Sequence, residues 1–369
     1  MHTPTILVAS VADGTGKTAI TLALGRLARE RGLDVGYMKP KGTRLQSSAG
    51  KTLDRDPMLA RELLGLDAEM HQLEPVVYSP TFVDGAIRGR EDPDELGGIV
   101  EDRFEALAAG ADMMLVEGGG DWITGGIVGL TDADVAERLD AAVVLVATYA
   151  TPADLDGVLA AAESFGDRLA GIVFNDVSDA AFDGLESEAV PFLERRGVEV
   201  LGVLPHDRDL GGVRVADLTA ELGAETLVAG DADAYVERFL VGAMGGDAAL
   251  RYFRRTKDAA VVTGGDRAEV ITAAIEAPGV NAIVLTGSHR PPAAVLGTAE
   301  RRGVPVVLAT GDTLSVVDRA EAIVEDGRAR DEGIVDRMRT LLHDHADVDA
   351  LLDADGPVDA EPDDDSDGG

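Results

Sequence analysis

The stretch Thr5–Thr18, TILVASVADGTGKT, decides the fold. Its apolar start, Ile6–Val8, reads as a buried strand, and a loop of small residues then closes on Gly16-Lys17-Thr18 and enters TAITLALGRLARE, a helical pattern. Strand, loop and helix follow one another without a spacer. In a phosphate-cradling loop the glycines let backbone N–H groups converge on phosphate oxygens, the lysine supplies a cation, and the hydroxyl after it ligates Mg²⁺. The segment Asp13-Gly14-Thr15-Gly16-Lys17-Thr18 is therefore the expected nucleotide-binding loop, with Lys17 on phosphate and Thr18 on the metal. The pattern G-x-x-x-x-G-K-[ST] would put glycine at position 11, where this chain has Val11. The bland alternative is an ordinary glycine-rich turn ahead of a helix.

At 369 residues the chain is long enough for two or three domains. Hydrophobic residues make up 45% of it but aromatics only 4%, so the core is built from Ala, Val, Leu and Ile, the usage of stacked α/β layers. Against 68 Asp and Glu stand 33 Lys and Arg, a formal charge of −35. Binding to nucleic acid by counterion release needs clustered cations, so neither nucleic acid nor an acidic membrane leaflet is expected as a partner. The acidic excess is spread over every segment, as in a halophilic protein of salt-rich cytoplasm. With no cysteine, disulfides, thiolate nucleophiles and zinc–thiolate sites are excluded. The N-terminus lacks the features of a signal peptide and no run nears the roughly 18 apolar residues of a membrane span, so a cytoplasmic location is expected.

Along the chain, Val35–Met38 reads as a short second strand ending in Lys39-Pro40. Ligands of open α/β sheets gather at the strands' carboxyl ends, which puts Lys39 either on the same phosphates as Lys17 or on a solvated loop. Asp56 and Pro57 read as the N-cap and first position of a short helix, and capping alone explains that aspartate. Residues 74–90, EPVVYSPTFVDGAIRGR, read as a long loop, and 91–109 as a helix. Asp112–Glu117, DMMLVE, is a buried strand ending in an acid and followed by GGGDW. In phosphate-loop proteins an acid in this place holds the Mg²⁺ shell, a role preferred here for Glu117 over mere strand capping. Strands at 141–147 and 170–175 follow, the second closing on Asn175. Its amide offers the donor and acceptor that adenine's edge requires, although asparagine is also ordinary where a strand leaves a sheet. From residue 206 a second series of strand–helix units begins, without a phosphate loop of its own. The chain closes on HDHADVDALLDADGPVDAEPDDDSDGG, which reads as a disordered acidic tail in which His343 and His345 lie on different sides of any helix.

Taken in order, ASVADGTGKT, YMKPKGT, DRDPMLA, MLVEGGGDW, GIVFND and LGVLPHD resemble the landmarks of dethiobiotin synthetase-like proteins over roughly residues 1–205. That family stretches its phosphate loop by one residue, so Ser10 takes the place of its first glycine. The resemblance implies Lys17 and Thr18 on phosphate and Mg²⁺, and Lys39 and Thr43 on the reacting phosphate or carbamate side. It also implies Asp56 and Glu117 as metal carboxylates and Asn175 as adenine reader. Two loop positions depart from it: Asp13 stands where the family has threonine, and Ala12 where it has aspartate. Residues 206–325 resemble a DRTGG domain, its motif split here into Gly265-Asp266-Arg267 and Thr286-Gly287, with Ser288 in place of the last glycine. The pair of domains resembles the N-terminal regulatory part of long phosphate acetyltransferases.

The expected fold is α/β: a P-loop parallel sheet flanked by helices over 1–205, a smaller DRTGG-like α/β domain over 206–325, and a C-terminal helix with an acidic disordered tail over 326–369. The expected function is an ATP- and Mg²⁺-binding regulator in acyl- or acetyl-CoA-linked metabolism, working as a homodimer or by docking on an acyl-transferring enzyme. An ATP-dependent carboxylate- or carbamate-activating enzyme, with ATPase or ligase activity, is the alternative. A non-catalytic interaction module is the second.

Overall fold

The computed structural model describes residues 3–43, 45–48, 51–327 and 332–354. The described parts of residues 1–206 and 331–369 form one compact unit, and those of 207–330 a second.

The first unit is built on six parallel strands: β1 (Thr5–Ser10), β2 (Val35–Met38), β3 (Met113–Glu117), β4 (Ala142–Ala147), β5 (Leu169–Val177) and β6 (Val200–Pro205). They lie in the order β6-β5-β4-β1-β3-β2. Every residue of β1, β3 and β4 is buried, as their uninterrupted aliphatic runs require of strands covered on both faces. β1 is central, and its register sets Val8 opposite Glu117 of β3. The end of β3 is thereby fixed beside the loop that leads from β1 into helix α1 (Lys17–Glu30).

Two local readings are corrected. Residues 74–90 are not a loop: Val76–Val77 pairs in parallel with Lys41–Gly42, and Pro80–Ile87 is a helix. Ser79 caps that helix by accepting from the Phe82 N–H at 3.1 Å, with Pro80 in the first turn, a Ser-Pro start signal that outweighs the weak periodicity. Helix α2 (Arg55–Leu63) is capped by Asp54, not Asp56. Asp54 Oδ1 accepts from the Asp56 N–H at 2.9 Å.

The second unit carries a five-stranded sheet of Glu225–Val228, Arg238–Val241, Ala259–Gly264, Val280–Thr286 and Val306–Leu308. The last four are parallel neighbours in the order 306–308, 280–286, 259–264, 238–241, and Glu225–Val228 closes the far edge antiparallel to Val306–Leu308. Helices Gly246–Phe253, Ala268–Glu276, Ala293–Arg302 and Thr313–Gly327 alternate with the strands. Aliphatic cores lie on both sides of the sheet.

After this unit the chain returns to the first. Helix Glu332–His345 buries Val335, Met338, Leu341 and Leu342 and packs along α1. Arg26 of α1 reaches Asp336 and Glu332, each at 2.6 Å, and Arg339 reaches Glu30 at 3.2 Å. Gly202 of β6 forms an antiparallel bridge with Ala346, and Val348–Leu352 is a further short helix. Residues 343–354, expected to belong to the disordered tail, are therefore mostly helical and packed; residues 355–369 of that tail lie outside the described residues.

Candidate functional site

The phosphate loop is shaped by backbone that only glycine adopts readily. Gly16 has φ +88°, and a Cβ there would stand 2.4 Å from Asn175 Nδ2. Gly16→Ala is expected to cost about 1–3 kcal/mol in chemical denaturation, from left-handed strain and displacement of Asn175. Asn175, at the carboxyl end of β5, donates from Nδ2 to the Thr15 carbonyl at 2.8 Å and so ties the loop to the sheet. Thr15 Oγ1 is buried without a hydrogen-bond partner among the described residues, while Asp13 is exposed.

Lys17 opens α1 and is 9% exposed. Its Nζ donates to Ser10 Oγ at 3.2 Å and to the Gly120 carbonyl, so Ser10 and the glycine run after β3 both hold it. Burial lowers its pKa, with Asp132 and Glu117 pulling the other way. Thr18 Oγ1 donates to Glu117 Oε1 at 2.7 Å, and the Tyr37 hydroxyl donates to Glu117 Oε2 at 2.8 Å. Burial pushes the Glu117 carboxyl up to about 7 against the pull of Lys39, and Asp56 adds to the rise.

Lys39 is fully enclosed. Its ammonium meets Asp56, Asp54 at 3.0 Å and Glu117 at 3.7 Å. Burial alone would lower its pKa, but Asp56, Glu117 and Asp54 together hold it above the usual lysine value. Asp54 also accepts from the Thr43 N–H at 2.8 Å, and Glu74 accepts from the Asp54 N–H at 2.9 Å. Burial pushes the Glu74 carboxyl up to about 7. The strand-end reading of Lys39 thus places it inside the protein, not on a solvated loop, and facing carboxylates.

A second enclosed pair lies beside this cluster. Lys41 Nζ and Asp132 Oδ1 are 2.6 Å apart, both side chains 1% exposed, and Asp132 Oδ2 has no partner among the described residues. A Cβ on Gly118 would come within 2.2 Å of Asp132 Oδ2, so the first glycine after Glu117 makes room for this carboxylate. Asp132 begins helix α3 (Asp132–Arg138), whose Thr131 cap accepts from the Asp134 N–H at 3.1 Å while Asp134 Oδ2 accepts from the Thr131 N–H at 2.8 Å.

The structure therefore gathers Ser10, Lys17, Thr18, Lys39, Thr43, Asp56, Glu117 and Asn175 around the carboxyl ends of β1, β2, β3 and β5. Tyr37, Lys41, Asp54, Glu74 and Asp132 join them although the sequence reading had not singled them out. Lys41 had one usable signal, its place two residues after Lys39 across Pro40; Asp132 had only the capping pattern T-D-A-D. Among the described residues no group of three or more His, Asp or Glu side chains is arranged to hold a metal ion by itself. Thr18, Asp56 and Glu117 nevertheless supply only hard oxygens. Such a set suits Mg²⁺, which binds through one or two carboxylates and completes its shell with water and substrate phosphate.

A family profile described as an AAA domain matches residues 4–214, and one described as a DRTGG domain matches 217–323. Phosphate acetyltransferase of Pseudomonas putida is 28% identical over 361 residues, 92% of this chain and 50% of that protein. ATP-dependent dethiobiotin synthetase BioD of Pseudomonas paraeruginosa is 30% identical over 218 residues, 58% of this chain and 94% of that protein. A ParA family ATPase of Chlorobium tepidum is 17% identical in structural superposition, covering 56% of this chain and 87% of that one at a TM-score of 0.36. The chain spans between 38% and 52% of the length of the curated phosphate acetyltransferases compared with it.

Proposed function

We infer, from the premise that this chain belongs to the AAA domain family over residues 4–214 and carries a DRTGG domain over 217–323, that its first unit binds ATP with Mg²⁺ as a regulator in acyl- or acetyl-CoA-linked metabolism. The observation that carries the regulatory reading is the state of Lys39. An ammonium already enclosed by three carboxylates is poorly placed to stabilise a transferring phosphoryl group, which needs preorganised positive charge aimed at it.

In this reading the loop backbone and Lys17 take the phosphates, exchanging the Gly120 carbonyl for phosphate oxygen, and Thr15 Oγ1 gains the partner it lacks. Thr18, Asp56 and Glu117 hold Mg²⁺, which when bound neutralises phosphate charge. Asn175 keeps its bond to the loop and presents Oδ1 to the adenine amino group. In the same reading the protein works as a homodimer or by docking on an acyl-transferring enzyme, and its acidic surface suits salt-rich surroundings. Among the described residues no helix is long and apolar enough to cross a membrane. The alternative, ATP-dependent carboxylate or carbamate activation, draws on Thr43, whose N–H is held by Asp54 beside Lys39.

Calorimetry with MgATP tests the reading. Lys17→Ala is expected to weaken ATP binding about 10- to 100-fold, the worth of a charge-assisted hydrogen bond of about 1.5–3 kcal/mol. Equal affinity in the two proteins would remove the phosphate assignment. ADP release that depends on an added carboxylate such as diaminopelargonate would replace regulation by catalysis.

A further inference from the structure

The chain's cations are mostly interspersed among acids, but RYFRRTK, Arg251–Lys257, packs four into seven residues. This run departs from the reading that clustered cations are absent. It ends helix Gly246–Phe253 of the second unit, and Arg251, Arg254, Arg255 and Lys257 are all exposed, as is Tyr252 at 46%. Asp258, the next acid, is engaged by Arg208 at 3.7 Å and by Asn281 at 3.0 Å.

At the other end of the same helix stands Asp247. Asp247 and Arg251 are one turn apart on the helix, and Arg254 and Arg255 follow in the turn just past its end, so acid stands at its start and base at its end. Beside it runs helix Ala268–Glu276, with Glu269 in its first turn packed close to Gly246. Between the two helices lies an open groove of about 840 Å³ lined by Gly245, Asp247, Ala248, Arg251, Glu269 and Glu276. Among the described residues none of these charged groups, nor Arg254, Arg255 or Lys257, forms an ion pair. Arg251 only donates to the Asp247 carbonyl at 3.3 Å.

We propose that this helix pair is the contact between two copies of the chain, a deepening that rests on the homodimer reading above. A two-fold axis across the groove makes the partner's helices run antiparallel, laying Arg251, Arg254 and Arg255 of each copy on Asp247 and Glu269 of the other. The small residues Gly245 and Ala248 let the helices approach, and Tyr252 supplies an aromatic contact. A polyanion would satisfy the cations but meet Asp247, Glu269 and Glu276. A purely basic partner would meet four cations. A surface carrying the same two ends meets the four cations with acid and Asp247 and Glu269 with base, and a second copy carries it.

The test is sedimentation equilibrium of the full chain, with folding of each variant checked by circular dichroism. Wild type is expected to be a dimer. Arg254→Glu/Arg255→Glu and Asp247→Lys/Glu269→Lys should each raise the dissociation constant by at least about tenfold, because like charges set opposite one another oppose association. An equimolar mixture of the two variants should regain the wild-type constant, since each then meets its complement. A monomeric wild type would overturn the homodimer reading together with this surface. A dimer that neither charge reversal weakens, or weakened variants whose mixture does not recover, would overturn the surface alone.

Discussion

Lys39→Met is expected to destabilise the first unit by about 3–5 kcal/mol, the cost of leaving buried charge without its partner. The methionine fills nearly the same volume, so the effect is electrostatic rather than a cavity. Asp54, Asp56 and Glu117 converge on that one ammonium, and Asp54 and Glu117 are fully buried. Trp122, the single tryptophan, lies in the first unit, so its fluorescence in a denaturant titration reports on that unit. The pH dependence follows from the carboxyls. Glu117 has a folded pKa of about 7 against an ordinary 4.5, although Lys39 pulls it down. Removing Lys39 lifts it further. A carboxyl raised on folding loses stability as pH climbs from its unfolded value through its folded one, so the variant's deficit should be largest above pH 7 and shrink toward about pH 4.5. A deficit under about 1 kcal/mol at pH 8, or one that grows on acidification, would contradict this account.

The Lys41–Asp132 pair should behave in a contrasting way. Lys41→Met or Asp132→Leu alone is expected to cost about 3–5 kcal/mol, whereas the double replacement should recover most of the loss, because apolar side chains of similar volume are often as good as a buried ion pair. A double-mutant cycle by the same titration measures the coupling. Additive losses would mean that the two groups do not compensate each other's charge. Recovered stability in the double variant would further allow ATP binding to be compared with wild type in a folded protein, separating the pair's contribution to the site from its contribution to the fold.

Much of this architecture was legible because its signals are local. β1, β3 and β4 are uninterrupted aliphatic runs, and the Gly-Lys-Thr triplet sits where a strand gives way to a helix. The misplaced cap of α2 shows the limit of local signals, since Asp54 and Asp56 are both good capping residues and only the geometry selects one. The enclosed charges were harder to see. Lys41 and Asp132 are 91 positions apart, and a buried lysine is written in the sequence like an exposed one until its partner is known. A C-terminal helix was expected, but what it packs on was not legible, for a similar reason. Val335, Met338, Leu341 and Leu342 have helical spacing, but the surface that covers them belongs to α1, and Arg26 and Asp336 are 310 positions apart.

That last helix has a consequence for how the chain is made. Synthesis runs from the N-terminus, and domains generally fold in that order as they emerge from the ribosome. Here the groove along α1 that receives Val335, Met338, Leu341 and Leu342 exists some three hundred residues before its occupant. The nascent first unit must therefore wait with an apolar flank open while the whole second unit is translated. The second unit, contiguous in sequence, has no such delay. The order of completion is inverted: the first unit, although it precedes the second in the chain, is completed only after it.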